Sequence, residues 1–202
     1  MRAAVVMITL ALLSGGALAA EASATQALQA RDAEIRAALP PPGAEVSPQV
    51  RKRLEAIVTR AVDLRAMVEA AMSKRWASTP EKQRKRLIAA FENRFRSTSG
   101  KEFDTYRSTQ IEYRPEVDEG GGVVQVPTKV VVKGEPTDIA YRMRRGPGGW
   151  RIVDLVVDGV STVENYRSSF ARVIQKEGVE GLIQRLERGS TGGAPATTPA
   201  AK

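Results

Sequence analysis

Thr137 to Asp158 reads TDIAYRMRRGPGGWRIVDLVVD, and this stretch decides the fold. Ile139, Tyr141 and Met143 alternate with Ala140, Arg142 and Arg144, the period of two that sends successive side chains to opposite faces of a strand. Gly146-Pro147-Gly148-Gly149 makes a turn, and Trp150 to Asp158 forms a second extended run. The same pattern extends back toward the N terminus. Gln110 to Val117 sets Ile111 and Tyr113 against Glu112 and Arg114. Gly120-Gly121-Gly122 turns that run into Val123 to Lys133, where Val124, Val126, Val130 and Val132 share a face. Gly134-Glu135-Pro136 is the turn that follows. Four runs joined by three short Gly/Pro turns predict a four-stranded antiparallel meander. Ile152 to Val157 is apolar on both faces, so that strand is expected to be central or covered on both sides.

Outside the meander the period becomes helical. Ala22 to Leu39 predicts a modest helix, ended by the stiff spacer Pro40-Pro41-Pro42-Gly43. From Pro48 one long helical pattern carries Leu54, Ile57, Val58, Ala61, Leu64, Val68 and Met72 toward Trp76. Ser78-Thr79-Pro80-Glu81 has the hydroxyl, proline and early carboxylate of a helix start. The helix it opens bears Leu87, Ile88, Phe91 and Phe95 and stops near Ser99-Gly100, with Phe103 and Tyr106 on a short further helix. After the sheet, Val160 to Glu164 reads as a capping box. The helix beyond it has Val163, Tyr166, Phe170, Val173 and Ile174 as its stripe and is interrupted at Gly178. Leu182, Ile183 and Leu186 lie on a last short helix. Helices, then a sheet, then helices give an α+β class: helices packed on a curved four-stranded antiparallel meander.

The two ends read differently. Met1-Arg2, the apolar run Ala3 to Leu13, Ser14-Gly15-Gly16 and Ala17-Leu18-Ala19 follow the order of a secretory signal peptide. The run is shorter than the roughly 20 apolar residues a spanning helix needs. Residues 1–19 are therefore expected to be a signal peptide, 20–47 an N-terminal helix and Pro-rich linker, and 48–188 the main domain. Residues 189–202, rich in Gly, Ala, Thr and Pro, are expected to be a disordered tail. The expected location is the periplasm, as a soluble protein.

Composition narrows the chemistry. The chain has neither His nor Cys. Disulfides, lipoprotein acylation, the common nucleophile–base pairs and the usual zinc sites are thereby excluded. No cofactor, metal or catalytic residue is expected. Asp154 and Asp158 could imitate a glycosidase pair, but four residues along an ideal strand separate them by about 13 Å, too far for hydrolase geometry. The net charge is +8, and removing residues 1–19 takes only Arg2 and leaves +7. Export and the scattered placement of the arginines argue against nucleic acid. On the residues alone the long apolar faces favour an ordinary filled core over a hollow one, although periodicity itself cannot distinguish them.

Two stretches carry a family resemblance. One is Val62-Asp63-Leu64 through Trp76, then Ser78 to Arg84, with Phe91 and Phe95. The other is Ile139 to Met143, Gly149-Trp150-Arg151-Ile152-Val153-Asp154, Gly159-Val160-Ser161 and Asn165-Tyr166-Arg167-Ser168-Ser169-Phe170. In order and spacing this resembles the MlaC family of periplasmic phospholipid-binding proteins, also called the toluene-tolerance or ABC-transporter auxiliary-component family, from about Val50 to Leu186. Ser73 departs from it, where a Gly often precedes the basic pair.

The resemblance implies a cone-like fold with acyl chains inserted between helices and sheet. It implies a carrier, not an enzyme, that shuttles phospholipid between an inner-membrane ABC transporter complex and an outer-membrane lipoprotein–porin complex, as a monomer. On that reading the lipid-facing wall is Leu64, Val68, Met72, Phe91, Phe95, Phe103, Tyr106, Ile111, Tyr113, Val124, Val126, Val130, Ile139, Tyr141, Trp150, Ile152 and Tyr166. Asp154, Ser161 and Asn165 are expected to stabilise the sheet-to-helix junction. Two alternatives stay open: the same fold carrying another lipid such as a hopanoid, and a solid-core periplasmic interaction protein.

Overall fold

The structure, a computed structural model, describes residues 22–41, 44–99, 109–132 and 134–189. The expected signal peptide, the helix around Phe103 and Tyr106, and the tail beyond Gly189 lie outside these residues. Among the described residues five helices come first: α1 (Ala24–Ala38), α2 (Pro48–Ala61), α3 (Leu64–Met72), α4 (Lys74–Ser78) and α5 (Glu81–Ser99). Six strands follow: β1 (Gln110–Tyr113), β2 (Val117–Gly120), β3 (Val123–Val132), β4 (Glu135–Gly146), β5 (Gly149–Val157) and β6 (Val160–Ser161). α6 (Thr162–Glu187) comes last. The class is α+β, with helices on a curved, open antiparallel sheet.

The strands are ordered β1-β3-β4-β5-β6, and β2 also pairs with β3. The run expected as one strand from Gln110 to Val117 is two, both laid on the same edge of β3. Pro115 stands in the gap; it has no N–H to donate, and a ladder cannot run through it unbroken. The long β3–β4 ladder pairs Val126 with Tyr141 and Thr128 with Ile139. β5 is not central. Its outer neighbours are the two-residue β6 and a parallel bridge from Val62 to Ile152, which nevertheless leave no residue of β5 exposed. Within it, Val153 has no partner: Arg142 pairs with Asp154, but Met143 pairs with Ile152. This bulge places Ile152 and Leu155 with Met143 and Tyr141 on the inner face, and Asp154 with Arg142 on the outer.

The single helix expected from Pro48 to Trp76 is three. Val62 takes extended backbone to reach Ile152, and the Asp63 carboxylate accepts from Ala66 N at 3.0 Å to restart the helix. The apolar spacing runs through the break unchanged, which is why periodicity alone joins the pieces. Ser73 then turns α3 into α4 at φ 52° and ψ −133°. A glycine adopts that conformation without strain, whereas a side chain is strained there.

Two start signals work differently from expectation. The Ser78 and Thr79 hydroxyls donate back to the Arg75 carbonyl, at 3.0 and 2.8 Å, instead of capping α5. At α6 only half of the capping box forms. Ser161 Oγ accepts from Glu164 N at 3.1 Å, while the Glu164 carboxylate pairs with Arg167 at 2.6 Å. The interruption at Gly178 is a kink within α6, where φ 70° and ψ −179° lie far from helical values. α1 has its capping box complete between Ser23 and Gln26.

The core is one large apolar cluster between the inner sheet face and helices α3, α5 and α6. Met67, Leu87, Phe170, Leu182 and Ile183 are fully enclosed in it. A smaller cluster of Ile35, Ala38, Val46, Leu54 and Ile57 joins α1 to α2.

Candidate functional site

The large cluster contains every described member of the expected wall. Leu64, Val68 and Met72 from α3, Phe91 and Phe95 from α5, and Tyr166 from α6 are buried on the helical side. Val126, Val130, Ile139 and Ile152 are buried on the sheet side, with Ile111, Tyr113, Val124, Tyr141 and Trp150 packed partly exposed around them. Phe103 and Tyr106 lie outside the described residues. Sequence reasoning left Met67, Met143, Leu155 and Phe170 off the wall, although the helical and strand periods mark them as clearly as their neighbours.

Aromatic packing organises the helical side. The Phe91 ring meets Tyr166 edge-on at 5.0 Å and Phe170 at 6.2 Å. Such contacts add about 0.5–1.5 kcal/mol beyond area burial. Three tyrosines feel the apolar surroundings. Burial, then the charge of Asp32, pushes the Tyr113 phenol up to about 12. Tyr141 is raised by burial and by Tyr113 and Asp32. Burial raises Tyr166 against the opposing charge of Arg94.

The charged groups are kept off this surface. Among the described residues Asp154 is the one buried charged side chain. Its Oδ2 accepts from Ser161 Oγ at 2.6 Å and Arg142 Nη1 at 3.1 Å, and its Oδ1 accepts from Val163 N at 3.0 Å. Arg142 also holds Glu119 at 2.8 Å. A carboxylate at the first turn of α6 suits the positive end of the helix dipole. Asp154 therefore joins sheet to helix, while Asp158 sits in the next turn and accepts from Asp138 N at 3.1 Å. Asn165 is exposed on α6. The buried Thr128 donates its hydroxyl to the Ile139 carbonyl at 2.8 Å.

α1 contributes more than its composition suggests. Ala24 and Leu28 enter the large cluster. Trp150 Nε1 donates to the Ala22 carbonyl at 2.9 Å, and Arg36 donates to the Thr109 carbonyl at 2.9 Å. Burial alone would raise the Glu116 carboxyl, but hydrogen bonds from Thr25 and Ser23 outweigh it and hold it below the usual range. Alanines give little periodic signal, so this packing was not legible in advance. Among the described residues no helix is long and apolar enough to cross a membrane.

Among the described residues, clefts open at the margins of the cluster. One of about 450 Å³ lies between α5 and the end of α6. One of about 240 Å³ is lined by Val62, Leu64 and Arg151, and one of about 290 Å³ by Ala66, Val153 and Arg167.

A sheet whose inner face is apolar but for a few hydroxyls such as the buried Thr128, roofed by helices and joined to the last helix through a buried aspartate, defines a class of α+β domain. A family model described as MlaC protein matches residues 37–188, and the chain belongs to that family. A solved structure with this fold is described as that of the phospholipid-binding protein from Ralstonia solanacearum in complex with a phospholipid. It is similar at a TM-score of 0.72 and 24% identity, over 84% of this chain and 97% of that one.

Proposed function

We propose that this protein is a soluble periplasmic carrier that holds phospholipid acyl chains between the inner sheet face and α3, α5 and α6. In that role it passes lipid between an inner-membrane ABC transporter complex and an outer-membrane lipoprotein–porin complex, and catalyses no reaction. The observation that carries the reading is the separation of charge from the apolar cluster: the one buried charged side chain among the described residues, Asp154, is bonded on the opposite face of the sheet. Membership of the MlaC family and the phospholipid held by the Ralstonia solanacearum protein support it. A diacyl lipid has about 30 methylenes worth about 0.8 kcal/mol each, on the order of 24 kcal/mol against water, which only an enclosing apolar site recovers.

Native mass spectrometry of the mature protein, purified without detergent, tests this. The expected result is an added mass of one intact phospholipid; a different lipid such as a hopanoid would be named by the same spectrum. A clean apo mass that persists after incubation with liposomes would overturn the carrier reading and favour a solid-core interaction protein.

A further inference from the structure

Ala90 and Leu186 are buried members of the apolar cluster, and both also line the cleft of about 450 Å³ between α5 and the end of α6. The cleft is thus a place where the apolar interior meets a polar rim. That rim is basic: Asn93, Arg94 and Ser97 come from α5, and Arg188 follows α6. Its one carboxylate, Glu187, is held by Arg86 at 3.3 Å. The Arg94 Nε is buried and has no hydrogen-bond partner.

A second unpartnered donor lies on the apolar side. Tyr166 is 5% exposed and its hydroxyl also lacks a partner. Its ring packs on Phe91, one helical turn before Arg94, and the Arg94 charge acts directly on the phenol. A buried donor left without an acceptor is costly, and native proteins keep few of them. The unpartnered Arg94 Nε, on a residue that lines a basic cleft with an apolar floor, calls for an acceptor that carries negative charge and is attached to an apolar body.

We propose that this cleft binds a phosphate group, with Arg94 and Arg188 as its charged donors and Asn93 as its neutral one. The inference deepens the carrier reading and rests on it: the phosphate of a bound phospholipid sits at Arg94 while its chains pass Ala90 and Leu186 into the cluster. A guanidinium presents paired N–H groups that match phosphate oxygens, and two guanidiniums favour a phosphate over a neutral headgroup. The same chemistry would take free inorganic phosphate, so the test separates the two sources.

Binding of phosphatidylglycerol and of diacylglycerol with the same chains is measured for the wild type, R94Q and R188Q. Circular dichroism checks the fold of each, and inorganic phosphate is titrated alone in parallel. The wild type is expected to prefer phosphatidylglycerol about tenfold, and each variant to lose most of that preference. R188Q changes an exposed residue and serves if R94Q fails to fold. An equal preference in wild type and folded variants, or none in the wild type, overturns the lipid-phosphate site. Inorganic phosphate that raises the melting temperature of the wild type but not of R94Q, without a headgroup preference, would keep the anion site and assign it to the free ion. A folded wild type that takes up neither lipid would instead strike down the carrier reading, and the phosphate titration would still decide the cleft.

Discussion

Asp63 donates its backbone N–H to the carbonyl of Ile152 at 2.8 Å, tying the α2–α3 break to the middle of β5. Arg151 reinforces the tie by donating to the Val62 carbonyl at 2.7 Å. The expected cost of Asp63→Ala is about 1 kcal/mol, the usual loss for an N-cap, because the backbone bond survives and only the Ala66 contact goes. Urea denaturation of the variant gives the number; a loss near zero would mean that water replaces the cap.

Ser73→Gly should stabilise the protein by about 1 kcal/mol, since the side chain is strained at its positive φ. Ser73→Val should destabilise it by more than that. Thermal melts of the pair decide the point, and a glycine variant no more stable than wild type would show that Ser73 is unstrained.

Asp154→Ala is expected to cost about 3 kcal/mol, because it removes the acceptor shared by Arg142, Ser161 and the α6 N-terminus. Asp154→Asn keeps an acceptor and should cost less. If lipid binding, measured on folded protein, fell with either variant while stability held, Asp154 would be a ligand contact and not a joint.

Val126→Trp and Val130→Trp enlarge two side chains buried at 0% and 2% exposure on the inner sheet face. Each should displace bound lipid while leaving the fold intact. Folded variants that retain a full complement of lipid by mass spectrometry would place the chains elsewhere.

Stability should fall as pH rises beyond the ordinary phenol range. Tyr113 keeps its proton to about 12 in the folded state, whereas the unfolded chain releases it near 10. The contribution is whole below about 10 and disappears as pH climbs to about 12. Phenolate absorbance should therefore rise together with loss of circular dichroism. Titration at the ordinary phenol value with the fold intact would contradict the burial of Tyr113.

Much of this was legible in the residues. The turns at Gly121-Gly122 and Gly146-Pro147-Gly148-Gly149 lie where the glycines put them, and the helical stripe through Phe91, Phe95, Tyr166 and Phe170 became core. The breaks were harder to see. Val62 and Asp63 leave the helix for a contact with Ile152, ninety residues away in sequence by order of magnitude, and no local pattern reports such a partner. The displacement of β5 from the sheet centre has the same origin: its outer edge is covered by the two-residue β6 and Val62, not by a second long strand. The cluster was foreseeable as apolar; the basic cleft at Arg94 was not, since it arises only where α5 and the end of α6 meet.

The unpaired Val153 has a further meaning. It acts as a phase shifter in β5: one additional residue lets Ile152 and Leu155, three apart, look the same way, and turns the intervening carboxylate outward. With strict alternation, Asp154 would stand opposite Tyr141 and project an anion into the greasy interior. Deleting Val153 would thus close the bulge and leave Ile152 and Leu155 facing in and Asp154 facing out, whereas drawing Val153 into the ladder would invert the polarity of half the strand.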